Sequence, residues 1–202
     1  MSAIKKKLIV TMLATIAIVA SFIFGTVAYF TETVSSDHNI IIMTGDAKAE
    51  VSDVVLEHGT NIPLPSDRAL DVIPGYKYAK NVTVENTGNY PLYVRGKIDC
   101  RIELSELNAG REDEIDYSLV IADIDTENWI FSDGYYYYKK PLYEDEMTTS
   151  LVSSIHFSDE MDNFYKSSTI YFKVRIEIVQ SNNNGASVLE ATGWPSSEGG
   201  EP

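Results

Sequence analysis

From Ile170 to Ile178 apolar residues recur at every second position of the run Thr169–Gln180. Ile170, Phe172, Val174, Ile176 and Ile178 fall on one side, and Tyr171, Lys173, Arg175 and Glu177 fall on the other. Successive side chains of an extended chain point to opposite faces, so this run is a strand with one dry and one wet face. A helix would scatter those five apolar residues around its whole circumference. The same period recurs at Asn39–Met43, Ala47–Leu56, Tyr78–Glu85, Leu92–Leu104, Ser118–Ile121, Trp129–Ser132, Tyr135–Lys139 and Thr149–Phe157. Many half-buried strands in one chain specify antiparallel sheets, hence an all-β sandwich or barrel.

Turn residues punctuate these runs. Pro74-Gly75 precedes one strand, and Asn86-Thr87-Gly88-Asn89 separates two others. Asp133-Gly134 joins Trp129–Ser132 to Tyr135–Lys139 as a two-residue hairpin, because both central positions of a type I′ turn require positive φ. Two stretches lack the strand period. Glu103–Asp116 reads as a long polar loop with room for a helical turn, and Phe157–Ser168 opens with Ser158-Asp159-Glu160, a cap signal for a short helix or a loop. From Gly193 to Pro202 only Trp194 is strongly apolar, too little to fold.

The first thirty residues concern destination. Lys5, Lys6 and Lys7 precede an apolar run from Leu8 to Phe24, then Gly25-Thr26-Val27-Ala28-Tyr29-Phe30. A basic head, a greasy middle and small residues at Thr26 and Ala28 form a secretory signal cleaved between Ala28 and Tyr29. The uncharged stretch from Leu8 to Phe30 is also long enough to serve as an uncleaved membrane anchor. The expected division is a signal peptide over 1–28, a β-sandwich over 29–192 and a disordered acidic Gly/Ser/Pro tail over 193–202.

Residues 1–28 contain three lysines and no acid, so their removal takes the formal charge from −14 to −17. Such a surface excludes nucleic acid as a partner, since binding it depends on cationic side chains that displace counterions. It fits a soluble, self-repelling extracellular protein or one that gathers cations. Membrane contact is then confined to the signal segment before cleavage.

The sequence presents no catalytic constellation. His-Glu-x-x-His, Gly-x-Ser-x-Gly, a glycine-rich phosphate loop and paired cysteines are all missing, and His38, His58 and His156 are scattered. The chain is therefore read as a non-enzyme without a resident cofactor. Calcium is the one candidate ligand: Glu112, Asp113, Glu114 and Asp116, and Glu144, Asp145 and Glu146, place hard oxygen donors on loops. Neither set has EF-hand spacing, and solvated charge explains both as well. Cys100, the single cysteine, shares a face with Ile98 and Ile102 and reads as a small buried hydrophobe. Tyr135, Tyr136, Tyr137 and Tyr138 put two rings inward and two outward. The outward pair would cover the sheet face or offer a contact surface, with Trp129 a further aromatic for carbohydrate.

Several of these segments, in this order, resemble the TasA/camelysin family of secreted Gram-positive surface proteins. Gly25-Thr26-Val27-Ala28-Tyr29-Phe30-Thr31 is similar to the family's specialised signal junction, a small-residue site followed by an aromatic pair. Asn39 with Thr44-Gly45-Asp46 resembles its first strand. Ile73-Pro74-Gly75-Tyr76-Lys77 with Val82-Thr83-Val84-Glu85-Asn86-Thr87-Gly88 resembles its turn, strand and Asn-x-Gly signature. Gly134 through Leu142 is similar to its aromatic hairpin, and Ile176–Gln180 through Ala191 and Trp194 to its closing strand and tail. The resemblance implies a jelly-roll-like β-sandwich with long polar loops behind a cleaved signal helix, export through a dedicated signal peptidase, and a place at the cell surface or in the biofilm matrix. It also implies self-association or related matrix subunits as partners, since some relatives polymerise into fibres. The metalloprotease label given to camelysin relatives does not carry over, because zinc-ligand spacing is missing.

Cleavage would free an N-terminal segment that is apolar at both ends, Tyr29-Phe30 and Ile40-Ile41-Ile42-Met43. Edge strands of a sandwich invite pairing. Tyr29, Phe30, Ile40, Ile41, Ile42 and Met43 are thus candidates for donation to a neighbouring copy, with the same segment completing its own sandwich as the alternative. The competing readings are a carbohydrate- or calcium-binding module and a secreted peptidase.

Overall fold

A computed structural model describes residues 31–36, 39–44, 47–57, 60–63 and 69–195. The expected signal segment, with Ala28, Tyr29 and Phe30, and the last residues of the tail lie outside the described residues. Twelve strands follow one another: β1 (Thr31–Ser36), β2 (Asn39–Thr44), β3 (Ala49–Glu57), β4 (Thr60–Pro63), β5 (Leu70–Asp71), β6 (Lys77–Asn86), β7 (Leu92–Glu103), β8 (Val120–Ile124), β9 (Trp129–Ser132), β10 (Tyr135–Tyr138), β11 (Val152–Phe157) and β12 (Thr169–Gln180). Helical structure among the described residues is limited to short 3-10 turns.

The strands form two sheets. One runs β1-β2-β12-β7-β10-β9, with β5 also on β12, and the other runs β4-β3-β6-β11-β8. The inner faces share one core. Val55, Val82, Val84, Ile155 and Phe157 from the second sheet cluster with Leu92, Val94, Ile170, Val174, Ile176 and Ile178 from the first. That is a β-sandwich built as the period-two patterns require: all five apolar residues read on one side of Thr169–Gln180 are buried.

The spine is the antiparallel pair β7–β12, in register from Glu103 opposite Thr169 to Leu92 opposite Gln180. Gly96 lies in the middle of β7. A Cβ there would sit 2.7 Å from Leu151 Cδ2 and 3.2 Å from Ile176 Cδ1, so the Leu151 side chain fills the space that a side chain at 96 would need. Asp133 (φ 48°) and Gly134 (φ 80°) both adopt the left-handed conformation and join β9 to β10, as their sequence requires.

Several boundaries differ from the sequence expectation. Ser118–Ile121 is displaced: Tyr117–Leu119 is a 3-10 turn whose Ser118 amide donates to the Asp116 side chain, and the strand is Val120–Ile124. Thr149–Phe157 begins as strand only at Val152. Just before it, the Thr148 and Ser150 hydroxyls accept from the amides of Val84 and Val82 at 3.0 and 2.9 Å, while the Thr148 and Leu151 amides donate to the Val84 and Val82 carbonyls, so side chains supply half of the ladder there. Between Phe157 and Ser168 the helical structure is the 3-10 turn Asn163–Tyr165, capped by Asp162, while Ser158 accepts from the Glu160 amide ahead of it. The sheets are antiparallel except at one place, where β2 runs parallel to β12. Most of the chain separates those two strands, so no short turn fixes their relative direction.

Candidate functional site

The N-terminal strands form an antiparallel hairpin, Thr31 opposite Thr44 through Ser36 opposite Asn39. The hairpin joins the sandwich through β2, with Ile41 opposite Ile176, Ile42 opposite Glu177 and Met43 opposite Ile178. At the other end of β12 the same edge is taken by β5, which pairs Leu70 and Asp71 with Ile170 and Thr169. Ile40, Ile41, Ile42 and Met43 therefore lie on β2, which pairs with the chain's own β12, while Tyr29 and Phe30 are outside the described residues.

A second feature lies on the outer face of the same sheet, against the pairing strand. Glu177 on β12 is opposite Arg95 on β7, and Arg95 is opposite Tyr137 on β10, so the three occupy one row across the sheet. Arg95 donates to Glu177 Oε2 from Nε at 2.7 Å and lies 2.6 Å from it through Nη2. Its Nη1 donates to the Tyr137 hydroxyl at 3.2 Å. The guanidinium sits 3.9 Å from the ring centre of Tyr135 and 4.5 Å from that of Trp194. Trp194 meets Tyr137 edge-on at 5.8 Å. Tyr93, Tyr137, Val179 and Val188 form a small buried cluster beneath Tyr135, Ala191 and Trp194. The result is a second core outside the sandwich, closed by the segment after β12. Desolvation raises the Tyr135 phenol, and the Glu177 carboxylate adds to the effect. Glu177 Oε1 is buried without a hydrogen-bond partner among the described residues.

The four adjacent tyrosines divide between these cores. Tyr138 is buried in the sandwich, 5.1 Å from the Trp129 ring, and Tyr136 packs against the same cluster. Tyr135 and Tyr137 face out and are covered by the tail. Trp129 is 1% exposed, which places it in the core rather than on a surface that could stack on sugar. Phe131, 61% exposed on the edge strand β9, is the open aromatic of this hairpin.

Four of the acidic-loop carboxylates are engaged within their own loops. Glu112 accepts from the Gly110 amide at 3.0 Å, and Glu114 forms a forked pair with Arg111 at 2.7 and 2.6 Å. Asp116 caps Ser118, and Glu146 accepts from the Tyr143 amide at 2.9 Å. These bonds hold the Glu112, Glu114 and Asp116 carboxyls below their ordinary values. Asp113, Glu144 and Asp145 complete the two sets, with Asp145 in the left-handed region at φ 60°. Among the described residues, no group of three or more His, Cys, Asp or Glu is gathered to hold a metal. Cys100 packs partly buried against the core, and burial pushes its thiol up to about 11, which removes it as a nucleophile near neutral pH.

Sequence reading did not find the row of Glu177, Arg95 and Tyr137. Each member carries the outward phase of its own strand, but bringing them together needs the register of three strands. Searches among known proteins add no neighbour: no family model, no curated protein and no solved structure matches the chain.

Proposed function

We propose that this chain is a secreted structural protein of the Gram-positive cell surface or biofilm matrix, of the TasA/camelysin type. In this reading a signal peptidase cuts between Ala28 and Tyr29, and the jelly-roll-like body then polymerises by donating its N-terminal strands. The observation that carries the reading is the attachment of the hairpin β1–β2, which among the described residues pairs with β12 through Ile41–Met43. Without the hairpin, the edge of β12 around Ile176–Ile178 presents unpaired backbone groups flanking core residues, a template for another strand.

Each subunit carries both halves of that contact, one donor segment and one acceptor edge. Moving the donor to the next copy preserves the main-chain hydrogen bonds and makes the contact head-to-tail. Such contacts grow into filaments when the rotation between subunits does not close a ring. An attached leader holds the donor end at the membrane, so cleavage acts as the assembly switch. The strongly negative body keeps unassembled subunits soluble.

Electron microscopy of the purified chain from Tyr29 onward tests this. Filaments are expected, and deletion of residues 29–44 is expected to abolish them. Filaments that persist after the deletion would refute strand donation.

A further inference from the structure

The second sheet carries a charged pair on its dry face. On β6 the inward phase reads Tyr78, Lys80, Val82 and Val84, so a lysine stands where the pattern calls for an aliphatic residue. Its side chain is 0% exposed, and that of Asp53 on the adjacent strand β3 is 1% exposed. Lys80 is opposite Val55 in the ladder and Asp53 is opposite Val82, so the two charged residues are diagonal neighbours on one face. Lys80 Nζ is held directly against Asp53 Oδ1. Val55 and Val82 are buried alongside, and the Phe172 ring of the facing sheet closes the site 5.7 Å from Nζ.

A buried lysine can make three hydrogen bonds, and Asp53 is the hydrogen-bond partner the structure gives this one. Two charges in such a place cost more in desolvation than one short pair returns. Burial accordingly pushes the Lys80 ammonium down and the Asp53 carboxyl up from their ordinary values. Passing one proton from the ammonium to the touching carboxylate gives a neutral amine facing a neutral carboxylic acid, and both shifts run in that direction; these are the two reactants of an amide condensation.

We propose that Lys80 and Asp53 become joined by an intramolecular isopeptide bond that ties β6 to β3. The Lys80 Nζ lone pair attacks Asp53 Cγ, forming one N–C bond. The C–O bond to the acid hydroxyl breaks, and that hydroxyl leaves with one proton from the amine as water. No electrons are gained or lost, and no co-reactant is needed. Holding the two groups in contact removes the translational cost of a bimolecular step, and effective molarities in such settings reach about 10⁵ M or more. The dry surroundings then keep water from reversing the reaction. The cross-link goes beyond the proposed function and does not depend on it, since it lies within one subunit and joins β6 to β3, neither of which pairs with β1, β2 or β12.

Mass spectrometry of the full chain under denaturing conditions tests the proposal. The expected mass is lower than that of the sequence by about 18 Da, one water. Trypsin should then release Ala49–Arg68 covalently joined to Tyr78–Arg95, with no cut after Lys80. Lys80→Arg should restore the full mass and separate the two peptides. An unmodified mass for the parent chain, with free cleavage after Lys80, would overturn the proposal. So would a loss of one water that maps to Asp133-Gly134, where cyclisation gives the same mass change. If Lys80→Arg fails to fold, the parent digest decides the matter alone.

Discussion

Arg95 and Lys80 both carry a cation out of water, one on the outer face of the first sheet and the other between the sheets. Arg95 receives two contacts from Glu177, a tyrosine hydroxyl, and the faces of Tyr135 and Trp194. A planar guanidinium has five donors in a fixed fork and stacks well on rings, so this cage suits a permanent charge. Lys80 receives one carboxylate and a distant ring among aliphatic side chains. The first arrangement surrounds its cation with partners; the second gives its cation one carboxylate. One builds an extra core on a sheet face, and the other places reactive partners side by side.

The largest effect should come from breaking the caged pair. Arg95→Leu leaves Glu177 buried with both oxygens unpaired, and a loss of about 3–5 kcal/mol is expected from urea denaturation. A loss near zero would mean that the cage holds no net energy. The inner pair gives a second, contrasting result. Replacing Lys80 by Met together with Asp53 by Leu removes both charges. A plain ion pair would make that double variant as stable as the parent or more so. A cross-link makes it weaker by about 2–4 kcal/mol, by analogy with the loss of a covalent loop closure.

A smaller effect is expected at the rim of the cage. Trp194→Ala removes one cation–π face and the ring that meets Tyr137, at a cost of about 1–2 kcal/mol. Amide exchange should accelerate in the segment after β12 and stay unchanged in β6. Acceleration in both would show that the outer core and the sandwich are one cooperative unit. The smallest effect concerns an exposed turn that contains neither kind of pair. Asp125 accepts from Thr149 Oγ1 at 2.6 Å and from Asn128 Nδ2 at 2.9 Å, and these bonds hold its carboxyl below the ordinary value. Its contribution is complete above the unfolded Asp value and is lost as pH falls through the lower folded value. Asp125→Ala should therefore cost under about 1 kcal/mol at neutral pH and nothing in strong acid. A pH-independent loss would assign the effect to packing instead.

Much of the fold is legible in the chain because burial on one face imposes period two. Thr169–Gln180 and Trp129–Ser132 are strands with the bounds that alternation gives them. Asp133-Gly134 is the hairpin its left-handed residues demand. Short edge elements such as Thr60–Pro63 and Leu70–Asp71 show too few repeats to register a period. The parallel placement of β2 on β12 leaves no local mark, since it depends on two segments most of the chain apart. The outer core was half visible: alternation puts two of the four tyrosines outward, but Arg95 and Trp194 join them only through register and through the path of the tail. Lys80 at an inward phase breaks the pattern of its strand, and that break is what marks the inner site.

Light scattering on the chain from Tyr29 onward, with and without excess free peptide spanning residues 29–44, tests strand donation most directly. The expected mass is that of many subunits, falling toward one subunit as the peptide occupies the β12 edge. A mass of one chain in the absence of peptide, or an assembly that the peptide leaves unchanged, would contradict it.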